Sequence, residues 1–168
     1  MKFITPLYFR NFIFGVEDSL VSTVGLLSGI AIAGVPRETI FLTGVVLILV
    51  EALSMAAGSF LSESSAEELA AGGVVPVSKP FAGGSIMFVS YFLAGFVPLV
   101  PYVLFTTALA LPVSIAASLA ALFLLGAVSG AISRAGIVRR AVRMFLVGGL
   151  AIVAGMLAGA VLSLQTLI

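Results

Sequence analysis

Three acidic side chains fall inside long apolar runs, and any chemistry in this chain must start from them: Glu17, Asp18 and Glu51. A charged carboxylate at the centre of a bilayer costs about 3 kcal/mol on insertion scales and far more on an isolated helix. Such groups persist only when they are paired, protonated or turned toward a polar cavity. The basic residues Arg10, Arg134 and Arg143 fall near the ends of the apolar runs, so a bound cation is the partner that the pattern points to. The competing reading is a protonated acid hydrogen-bonded between helices or, for Glu17, a side chain snorkelling to the interface.

Spacing adds further donors. Asp18 lies seven residues into the first apolar span, about 10 Å from its inner end at helical rise. Met55 lies seven residues from the inner end of the second span, which runs the opposite way, so the two are expected at one depth with Glu51 a turn deeper. Glu51, Met55, Ser59 and Ser62 form one helical stripe, and Asp18, Ser22, Gly25 and Gly29 form another. Met55 alone would read as core packing; its place beside two intramembrane acids is what singles it out. Facing stripes would offer carboxylates, hydroxyls and a thioether, a donor set suited to Fe²⁺ or Mn²⁺ rather than to Ca²⁺, which takes oxygen alone. The expected metal residues are therefore Asp18, Glu51, Met55, Ser22, Ser59 and Glu17. Glu63, Glu67 and Glu68 could add a cation-collecting rim on the cytosolic side, although Ser64-Ser65-Ala66-Glu67 also fits a capping box opening a short helix.

The elements that must position these groups follow from composition. Apolar residues make up 61% of the 168 and charged residues 9%, with a mean hydropathy of +1.31. Soluble domains carry about 25% charged residues, so the bilayer is the solvent here. At about 20 residues per span, the chain accommodates five transmembrane helices, expected at 11–34, 39–62, 81–105, 112–133 and 141–166, with a short cytosolic loop at 62–80. Long apolar runs without strict alternation exclude a barrel and give an all-α integral membrane fold of one domain, 1–168. Lys2, Arg10, Lys79, Arg134, Arg139, Arg140 and Arg143 fall on one side and only Arg37 on the other. The positive-inside rule then places the N-terminus in the cytosol and the C-terminus outside. Gly25-x-x-x-Gly29, Gly126-x-x-x-Gly130 and Gly155-x-x-x-Gly159 permit close helix crossings, within one subunit or between two.

The chain has no Cys, His or Trp, which removes disulfides, thiolate and imidazole metal sites, and thiol or imidazole catalysis. Its basic residues are too few and scattered to track a nucleic-acid backbone, and no nucleophile–base constellation marks an enzyme.

The acid-bearing segments also carry a recognisable pattern. Phe14-Gly15-Val16-Glu17-Asp18-Ser19-Leu20-Val21-Ser22-Thr23 and Glu51-Ala52-Leu53-Ser54-Met55-Ala56-Ala57-Gly58-Ser59-Phe60-Leu61-Ser62 resemble the first- and second-helix signatures of the vacuolar iron transporter family, and Phe96-Val97-Pro98-Leu99-Val100-Pro101-Tyr102 resembles its third-helix end. The resemblance implies a homodimeric exporter that moves Fe²⁺ or Mn²⁺ out of the cytosol in exchange for protons. It also implies that the positions of Asp18 and Met55 line a pathway at the dimer interface. The chain departs from the family pattern at Ser19, where Gly is usual, and at Ser59, where an acid is common. It also has a short segment in place of long Glu-rich cytosolic helices. The expectation is a divalent-metal transporter with no resident cofactor, partnered by lipid and a second copy of itself, in the plasma membrane of a prokaryote. A passive cation channel and a non-transporting scaffold subunit are the alternatives.

Overall fold

The computed structural model describes residues 5–134 and 136–165; Lys2 and the expected end of the last span at 166 lie outside them. The described residues form α1 (Pro6–Ile32), α2 (Arg37–Ala71), α3 (Ser78–Leu104), α4 (Thr107–Ile132) and α5 (Ile137–Gln165). All five are long and apolar enough to cross a membrane. Their outward surface is apolar: Leu93, Leu146 and Leu150 are 62%, 63% and 73% exposed, an arrangement stable only against lipid.

Several helices outrun their expected spans. α1 starts at Pro6, a residue favoured at a first helical turn because the N–H it lacks would have no partner there. α2 does not stop at 62 but continues to Ala71, and α3 begins at Ser78, so most of the expected loop at 62–80 is helix and Ser64 opens no separate element. The Ser-Glu-Ala run there holds no breaker before Gly72, whose left-handed φ of 69° ends the helix. α4 begins at Thr107, so Pro112 lies inside it rather than in its first turn. α5 begins at Ile137, which puts Arg139, Arg140 and Arg143 on the helix itself. Pro98 and Pro101 are accommodated within α3, and the Ser114 hydroxyl of α4 donates to the Pro98 carbonyl at 2.7 Å.

The packing is dominated by α1 and α3. The latter wedges between α1 and α2, contacting both broadly while α1 and α2 touch each other less. α1 and α3 run parallel: Asn11 Nδ2 donates to Gly83 O (3.0 Å) and Ser19 Oγ to Tyr91 O (2.7 Å), both across 72 residues. α2 runs antiparallel to them, with Asn11 Nδ2 donating to Ser59 Oγ at 2.9 Å. Glycine spacings serve crossings within the chain. Gly25 and Gly29 meet Gly155 and Gly159 where α1 crosses α5, and Gly126 and Gly130 meet Ala141 and Ile137 where α4 crosses α5.

Candidate functional site

The Asn11–Ser59 and Asn11–Gly83 bonds fix the register of α1, α2 and α3. One turn on from Asn11, Gly15 stands level with Met55 and Met87. One turn further, Asp18 and Ser19 stand level with Glu51, Ala52 and Tyr91. This corrects the depth expected from sequence: Asp18 pairs in height with Glu51, and Met55 lies one turn toward the start of α1. The expectation took 11 and 62 as a common inner plane, but both helices extend beyond those residues, so their ends mark no shared level.

The Asp18 and Glu51 carboxylates are near enough to repel one another, and both act on the Tyr91 hydroxyl. Asp18 and Glu51 are each half-buried, whereas Tyr91 is fully buried. Ser22, one turn beyond Asp18, shares a 2.8 Å hydrogen bond with Tyr91 Oη. Ser19 is held by the Tyr91 carbonyl, so its hydroxyl fastens α1 to α3. Tyr91 was not among the residues singled out by sequence; its only cue is the cluster of small residues on α3 that lets the helix approach α1.

The remaining candidates divide. Met55 and Ser59 line an open groove of about 620 Å³ between α1, α2 and α3, together with Arg10, Asn11 and Met87. Ser59 accepts from Asn11 within it. Glu17 is turned about 100° from Asp18 around α1; it is partly buried and repelled by Asp18, with a weaker attraction from Arg140 and Arg143 on α5. Sequence alone gives Glu17 no basic neighbour, because Arg140 and Arg143 fall near the start of the last apolar run. Arg140 also caps the end of α4, donating to Ser129 Oγ at 3.0 Å and to Ser133 Oγ. Of the expected rim, Glu67 and Glu63 pair with Lys79, and Glu63 also pairs with Arg10 at 3.5 Å; Glu68 is exposed. Among the described residues, no three acids cluster as a metal cage. A cation held here would use Asp18 and Glu51 with neutral donors.

The family model described as VIT family matches residues 9–75 and 73–160 of the chain. No curated protein matches the chain.

Proposed function

The chain belongs to the VIT family, whose members are membrane metal ion transporters rather than enzymes, and from that premise we propose that it exports Fe²⁺ or Mn²⁺ from the cytosol by exchange for protons. The observation that carries this reading is the pairing of Asp18 with Glu51 inside an apolar bundle. Two like charges at that depth are tolerable when a divalent cation bridges them or when protons neutralise them. Alternation between those two states is an exchange cycle: metal arrival displaces protons, and protons entering from the far side release the metal. Met55, one turn away, supplies a thioether that favours a borderline ion over Ca²⁺ or Mg²⁺.

The working unit we propose is a homodimer in a prokaryotic plasma membrane, with the N-terminus in the cytosol. Supporting the dimer, α2 leaves Ser54, Gly58 and Ser62 exposed beside half-buried Glu51 and Met55, small and polar residues that a second copy would cover better than lipid. The test is metal uptake into proteoliposomes loaded at a lower pH than the bath. Equilibrium accumulation of Mn²⁺ or Fe²⁺ should rise about tenfold per exchanged proton for each unit of imposed pH difference. Accumulation indifferent to the gradient would turn the assignment to a passive channel, and no uptake of either ion would remove metal transport by these residues.

A further inference from the structure

Two of the chain's five methionines, separated by 32 positions in sequence, meet at one level of the bundle. Met87 of α3 is 3% exposed, and its sulfur lies against α1 at Gly15, where an added Cβ would come within 3.2 Å of Sδ. The missing side chain at Gly15 is what admits the thioether. Met55 of α2 stands opposite the same turn by the register that Asn11 fixes, and both methionines line the one groove. Met144, by contrast, packs among Leu20, Leu122 and Leu125 in a wholly apolar cluster, which is the ordinary use of this residue. Met87 differs because its neighbours include Asn11 and Ser59, polar groups able to hold the waters of a partly hydrated ion.

We propose that Met87 is a second thioether donor which, with Met55, forms a soft cation-binding layer one turn from the Asp18–Glu51 carboxylates. This deepens the transport reading and rests on it for its role, though not for its test. An ion moving between the groove and the carboxylates passes the thioether layer, which favours polarisable cations and offers little to hard, strongly hydrated ones. The carboxylates attract divalent cations in general; the methionine pair discriminates among them.

The full chain, reconstituted in liposomes, is given Cd²⁺ and Mn²⁺ in competition. Met87→Leu conserves volume and should melt close to the parent, so it reports on the sulfur. We expect the Cd²⁺-to-Mn²⁺ uptake ratio to fall about fivefold in Met87→Leu. An unchanged ratio in a variant that melts like the parent would overturn the proposal. X-ray absorption of Cd²⁺ bound to selenomethionine-labelled protein needs no variant at position 87. Two selenium neighbours, falling to one in Met55→Leu, support the pair; a single selenium neighbour in the parent protein refutes it. If the parent transports neither ion, the transport reading fails, and the selenium count still decides the thioether pair.

Discussion

Asp18→Asn should stop metal flux, lowering it about a thousandfold, while leaving the bundle as stable as before or slightly more so. A unit charge at contact distance contributes about 4 kcal/mol at an effective dielectric near 20, close to three orders of magnitude in affinity. Asn keeps the shape and one acceptor oxygen of the carboxylate, so the loss is of charge rather than of packing. Stability moves the other way because Asp18 and Glu51 repel each other in the metal-free chain, and removing one charge relieves the other. Initial-rate uptake in proteoliposomes and melting in detergent check the two halves separately. Flux surviving in Asp18→Asn would mean the ion takes a route that avoids this carboxylate. Flux lost together with the fold would reduce Asp18 to a structural group. The divergence of the two measurements is what identifies a cation site.

The contrast between Glu17 and Asp18 also shows what a sequence can and cannot carry. Adjacent acids in an apolar run announce a polar requirement, but one residue of helix turns them to different neighbours. Which of them has arginine neighbours depends on where α5 lies. Composition and run length were enough for five helices, because the bilayer demands that each backbone be satisfied internally. The glycine spacings were equally legible: Gly25, Gly29, Gly155 and Gly159 do make a close crossing, although spacing alone did not say that it lies within one chain. Polarity hid the continuity of α2 to Ala71: the Ser64–Glu67 capping-box pattern pointed to a separate short helix after the span, whereas Glu63, Glu67 and their neighbours, being good helix formers, simply prolong α2. The ion pairs of Lys79 with Glu63 and Glu67 join α2 to α3 across the turn, a tertiary contact with no local signal. Met87 and Tyr91 escaped notice for the same reason. Each looks like core on its own helix and gains meaning only once α3 is known to lie between α1 and α2.

The α1–α5 crossing is where a single substitution should do the most structural damage. A Cβ on Gly155 would fall 2.8 Å from the Gly25 carbonyl carbon and 3.1 Å from its Cα, and still nearer the carbonyl oxygen. A Cβ on Gly29 would in turn lie 2.6 Å from Gly155 O. These obstacles are backbone atoms, which cannot rotate away as a side chain end can, so relief requires the two helices to separate along the whole contact. Without a hydrophobic force between helices in lipid, such close backbone packing is what holds them together. Gly155→Leu should therefore cost about 3 kcal/mol, the upper end of the usual overpacking range, measured by denaturant titration in mixed micelles. Gly149 lies on the same helix with open space where its Cβ would be, and Gly149→Leu should be neutral or stabilising, since Gly is the poorer helix former by about 1 kcal/mol. Equal damage from both would mean that the harm comes from lost glycine flexibility and not from the crossing. Damage confined to Gly155→Leu would also reach the proposed Asp18–Glu51 site, because α5 packs against α1. Flux should then fall with stability even though Gly155 touches neither Asp18 nor Glu51.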